Sequence, residues 1–80
     1  MQIAVIKILA ETRTTAELIA AEDAILNEQT PAIPIEGKDE GEKLTHVLAA
    51  VEIHNDMEKN KIDFRTALRN YTQRVRNSIN

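Results

Sequence analysis

Residues 42–59, EKLTHVLAAVEIHNDMEK, decide the fold. Leu44, Val47, Leu48, Val51 and His54 recur at the spacing of one helical face. His46, Ala49, Ala50, Ile53 and Met57 make a second stripe beside it. Two adjoining stripes cover more of the circumference than the single apolar face of a helix lying on a core. The stretch therefore predicts a central helix with neighbours on two or three sides. Asp39 is the expected N-cap, and Glu42, three positions on, can reach back as in a capping box. Glu40 and Glu42 stand where the positive end of the helix dipole favours carboxylates. Gly41 weakens this first turn by about 1 kcal/mol relative to alanine. The end is expected near Asn60.

On the N-terminal side, residues 1–10, MQIAVIKILA, are the most apolar stretch, with only Gln2 and Lys7 polar. Ile3, Ile6 and Ala10 with Val5 and Leu9 fit a buried helix, while the β-branched run IAVIKI also fits a strand. Helix is favoured, because the next segment of the chain reads as helical. So apolar an element needs covering, and the chain is short of material to cover it. This marks Ile3 and Ile6 as interaction candidates toward a second subunit or a partner. Residues 11–14 read as a turn. Thr14 with Glu17 repeats the capping-box pattern, opening a helix over about 15–28 whose expected buried face is Leu18, Ile19, Ala21, Ile25 and Leu26. Residues 29–41, QTPAIPIEGKDEG, form the one linker. Pro31 and Pro34 bias Thr30 and Ile33 away from helix, and Ile33 and Ile35 alternate as a short extended piece would.

On the C-terminal side, Asp63 is a candidate N-cap after a tight connection. Phe64, Leu68, Tyr71, Val75 and Ile79 then repeat at spacings of 4, 3, 4 and 4, a bundle seam. The short connection makes the last two helices antiparallel neighbours. The expected fold is all-α, a single domain over residues 1–80 forming a compact three- to four-helix bundle. The alternative is α+β, with short strands at 1–9 and 32–36.

Eighty residues without cysteine, with one Phe, one Tyr and no Trp, must build a core from Ile, Leu, Val and Ala. So small a chain buries only roughly 60–65% of its unfolded surface, and cores of this kind often gain stability by oligomerising. A homo-oligomer is therefore expected. No apolar run approaches the roughly 20 residues of a membrane span. The N-terminal stretch has no charged leader and is not read as a secretion signal, so a cytoplasmic protein is the expectation. Of the net charge of −3, residues 1–60 carry −7 and residues 61–80 carry +4. The basic last helix thus matches the acidic remainder, within the chain or across an interface.

Candidate chemistry is sparse. Glu42 and His46 share a helical face, but zinc normally takes three or four protein ligands. His54 lies about 12 Å further along the same helix, so it could join His46 on a metal only across a symmetric antiparallel dimer. The plainer reading pairs His46 with Glu42 and leaves His54 at the edge of a seam. Glu36, Asp39, Glu40 and Glu42 read as a solvated acidic linker, because acid–base work needs a cleft that shifts their pKa values. KDEGE lacks the ligand register of a calcium loop, and no cofactor is expected. The only serine, Ser78, has no histidine near it in sequence. Arg65, Arg69 and Arg76 fall on one stripe, with Lys61 a turn before, and could track phosphates. The acidic remainder disfavours nucleic acid, and such arginines suit carboxylates across an interface.

The segments IEGKDEGEKLTHVLAA (35–50) and DFRTALRNYTQRVRNSI (63–79) resemble a small bacterial family of unknown function, of about this length. That family carries no assigned activity, so no catalytic or binding residue transfers. Its genes resemble, in context, those found beside thioredoxin-like proteins and peroxiredoxins. The resemblance implies an accessory role near thiol redox chemistry, in which a chain without cysteine could bind, position or regulate a redox protein but not pass electrons. The residues favour a non-enzymatic protein–protein interaction module. An interface metal or acid–base site from Glu42, His46 and His54 is one alternative, and a weak nucleic-acid binder through the basic C-terminal helix is another.

Overall fold

A computed structural model describes residues 2–78, so the seam position expected at Ile79 lies outside the described residues. Four helices occur in order: α1 (Ile3–Thr12), α2 (Thr15–Leu26), α3 (Glu40–Asn60) and α4 (Phe64–Ser78). No strand occurs among the described residues. The all-α expectation holds, and the alternative strands at 1–9 and 32–36 are replaced by α1 and by an irregular linker.

The helix starts are local chemistry. Thr14 and Glu17 form the full reciprocal capping box, each side chain accepting from the other's backbone N–H. Asp39 accepts from the Glu42 N–H at 2.8 Å, but Glu42 reaches one residue further back than expected, to the Lys38 N–H at 2.9 Å. Asp63 accepts from the Thr66 N–H at 2.8 Å. These bonds hold three carboxyls below their ordinary pKa: Glu17 through the Thr14 backbone, Glu42 through the Lys38 backbone, and Asp63 through Thr66.

The central helix is α3, which packs against each of the other three. His46, Val47, Ala49, Ala50 and Ile53 are its buried residues. Chain direction is set by the hydrogen bonds between helices. Gln2 meets His46 and Ala10 meets His54, so α1 runs parallel to α3. Thr15 at the start of α2 also meets His54, while Ile25 and Leu26 at its end share a groove with Leu44. So α2 runs back, antiparallel to α3. Asn70 with Asp56 and Arg74 with Glu52 set α4 antiparallel as well. Between α2 and α3 the linker packs Ile33 and Ile35 onto the core, and Pro34 and Glu36 lie beside Val5 and Leu9 of α1. The chain thus supplies part of the cover for α1 that its composition seemed to lack. Gly37 is required there, since a Cβ would stand 2.9 Å from the Lys43 backbone nitrogen.

Three expected core positions are corrected. Ile19 is 50% exposed and Leu26 61% exposed, because both share the outer ridge of α2 with Ala16 and Asp23 rather than the inner face of Leu18, Ala21 and Ile25. Leu48 is 44% exposed, on the ridge it shares with Thr45, Glu52 and Asn55. On α4, Ala67 is fully buried and Tyr71 nearly so, with Phe64, Leu68 and Val75 packed beside them.

Both α2 and α3 end on a non-glycine residue in the left-handed region, Glu28 at φ 58° and Lys61 at φ 52°. The Gln29 N–H returns to the Ala24 carbonyl, and the Ile62 N–H to Met57, the bond of a Schellman terminus. An L side chain there costs roughly 1–2 kcal/mol that glycine avoids, less the extra unfolded-state entropy of glycine. Glu28→Gly and Lys61→Gly should each stabilise the fold by about 0.5–1 kcal/mol, raising Tm by a few degrees. Calorimetry of the two variants checks this, and a lowered Tm in both would show that these termini are held by the side chains instead.

Candidate interaction surface

The site is best built from α1, the helix least able to stand alone. Its N-cap, Gln2, makes no side-chain capping bond, and neither end carries a charge that complements the helix dipole. Any helix leaves unpaired N–H groups at its start and unpaired C=O groups at its end. Here α3 supplies partners at both ends. The Gln2 N–H donates to Nε2 of His46 at 3.0 Å, and Nε2–H of His54 donates to the Ala10 carbonyl at 2.7 Å. The eight-residue spacing of the histidines on α3 equals that of Gln2 and Ala10, so two parallel helices come into register.

The second nitrogen of each ring ties a connection. A carbonyl only accepts, so Nδ1–H of His46 donates to the Glu36 carbonyl of the linker at 2.8 Å. This fixes one neutral tautomer, with Nε2 as acceptor. Nδ1 of His54 then accepts from the Thr15 hydroxyl at 2.8 Å, in the first turn of α2. His46 is fully buried. Neither ring was expected in this role, because three of the four partners are backbone groups, up to 44 positions away, which leave no mark in sequence.

This geometry places the candidate metal residues apart. His46 and His54 serve opposite ends of α1, and Glu42 is bonded to the Lys38 N–H. A metal on Nε2 of His46 would have to displace the Gln2 N–H. Among the described residues no group of three or more His, Asp or Glu could hold a metal ion. No helix among them is long and apolar enough to cross a membrane.

The interaction candidates divide. Ile6, an interaction candidate with Ile3, is fully buried, since it shares with Val5, Leu9 and Ala10 the face of α1 turned to the core. Ile3 is 38% exposed, and Ile8, which the sequence did not single out, is 59% exposed. With Ile19 and Leu26 they put on α1 and α2 four of the five exposed large aliphatic side chains among the described residues. Beyond Leu26 opens a groove of about 570 Å³, lined by Ile25, Pro31, Leu44, Glu28 and the Glu40–Lys43 pair. Arg65, Arg69 and Arg76 lie exposed on α4. Among the described residues, α4 makes one ion pair, Arg74 to Glu52 at 2.9 Å. That pair is half exposed on both sides, so it adds little stability.

Fold and surface together define a small four-helix protein whose central helix caps its first helix and whose first two helices expose aliphatic side chains. The chain belongs to the family of unknown function DUF6952, whose model matches residues 1–80. No curated protein and no solved structure matches it.

Loss of the fully buried His46 ring should leave the Gln2 N–H and the Glu36 carbonyl without their partner at a part-buried position, each costing roughly 1–3 kcal/mol. His46→Leu should therefore destabilise by about 2–4 kcal/mol, and His54→Leu by clearly less, because His54 is half-buried beside an open cleft that water can enter. Urea unfolding of both variants tests the order. Equal losses would mean that water does not replace the hydrogen bonds lost at His54, so that the difference in burial between the two rings does not matter.

Proposed function

We propose that this protein is a non-enzymatic binding module that takes up another protein, or a second copy of itself, on the outer face of α1 and α2. One observation carries the reading: Ile3, Ile8, Ile19 and Leu26 are exposed on those two helices. The outer positions of α4, by contrast, are arginine, threonine, glutamine and asparagine. Single exposed aliphatics are ordinary, whereas two on each of two helices that both pack on α3 point to an interaction surface. Without cysteine the chain has no thiol of its own to oxidise. Its part in the thiol-redox setting that the family resemblance implies would be to hold or position the protein that has one.

A photo-crosslinking residue placed at Ile8, Ile19 or Arg69 in the producing cell tests this. Discrete protein adducts from positions 8 and 19, whether to another protein or to a second copy, with few from position 69, are expected. Adducts from position 69 alone, or nucleic acid recovered there, would overturn the reading and move the function to the arginine face of α4.

A further inference from the structure

We infer that the outer ridge of α2 receives a basic amphipathic helix from a partner protein. The inference rests on the binding-module reading and names the chemistry of its partner. The ridge carries Ala16, Ile19, Asp23 and Leu26, all exposed, at spacings of 3, 4 and 3. That is the a/d rhythm by which one helix packs along another. The inner face of α2 is already filled by Leu18, Ala21 and Ile25, so this helix has a second apolar stripe that the rest of the fold does not use. Ile19 and Leu26 are seven residues apart, about 10.5 Å along the axis, and a docked helix meets them with two aliphatic anchors of its own. The stripe runs at Leu26 into the groove walled by Pro31 and Leu44, which takes a third anchor. Helix-in-groove recognition works through such spaced anchors.

Charge selects the occupant. Residues 15–28 hold four acids and no base. Glu17 is engaged by Arg13 and by its own cap, whereas Glu22, Asp23 and Glu28 make no ion pair among the described residues. Asp23 stands within the apolar stripe, between Ile19 and Leu26, and Glu28 lines the groove, where Glu40 is already paired with Lys43. Pairing of α2 with its copy in a second chain would set these carboxylates against their equals, a costly arrangement at an interface. The α4 of a second copy has the right sign, but its exposed positions from 65 to 77 are arginine, threonine, glutamine and asparagine, with no aliphatic anchor. A helix with leucine-like anchors flanked by lysine or arginine satisfies both halves of the ridge.

The test is fluorescence anisotropy with two labelled synthetic helices of equal length, one built from leucine and lysine and one from leucine and glutamate, titrated with the full chain. The leucine–lysine helix should bind and the leucine–glutamate helix should bind at least tenfold more weakly. The double variant Ile19→Ser/Leu26→Ser should lose at least tenfold in affinity, and so should Asp23→Lys. Leu48→Ser, an exposed aliphatic on α3, should bind as the parent does. These substitutions are at exposed positions, and far-ultraviolet circular dichroism confirms that each variant is folded. Equal binding of the two helices, or affinity unmoved by the α2 variants, overturns the inference. If the chain is instead a dimer that Ile19→Ser splits, the occupant is a second copy. That result overturns the basic-helix inference while the binding-module reading stands. Absence of crosslinks at positions 8 and 19 removes both.

Discussion

The structure depends on α1 being capped by a different helix. Ten residues with no capping side chain and no charge set to favour the dipole at either end are too few to be stable as an isolated helix in water. Burial of Val5, Ile6, Leu9 and Ala10 supplies the apolar drive, but burial is not directional and would tolerate several registers. The bonds at the two ends remove that freedom. Each histidine also holds a connection, His46 the linker at Glu36 and His54 the start of α2 at Thr15. Two rings thus fix the direction of α1, its register, and the path of the chain into and out of α2. Buried polar groups that are fully satisfied specify one arrangement in this way.

Around that arrangement the fold is a central helix with three neighbours, and the uneven surface is a consequence. The sides of α3 given to α1, α2 and α4 use nearly all of its apolar positions, leaving a polar ridge on which Leu48 is the one aliphatic. By contrast α2, lying at the outside, has one neighbour to satisfy and two apolar faces. Four of the five exposed large aliphatics of the described residues thus lie on α1 and α2.

What the sequence made legible was local. Thr14 with Glu17, Asp39 and Asp63 were readable as helix starts because a cap is decided within three residues. The centrality of α3 was readable from two adjoining stripes. Which of two apolar stripes on α2 turns inward was not, because Leu18 and Ile19 are equivalent until the neighbour is known. The histidines were the largest omission. Three of their four partners are backbone groups, of Gln2, Ala10 and Glu36, and backbone groups have no letter in a sequence; the fourth, the Thr15 hydroxyl, lies 39 positions from His54. One signal did exist: the spacing of eight along α3 is that of two turns and a little more, which keeps both rings near one side of the helix.

The aromatic residues of the chain, Phe64 and Tyr71, both belong to α4. Burial raises the pKa of the Tyr71 hydroxyl, and its ring is 6% exposed in the seam between α3 and α4. With no tryptophan anywhere, the intrinsic near-ultraviolet absorbance and emission of this protein originate almost wholly in that seam. The molecule is therefore optically one-sided. Its own chromophore watches α4 leave or rejoin the central helix, while events on α1 and α2, where the exposed aliphatics lie, pass without a colour of their own.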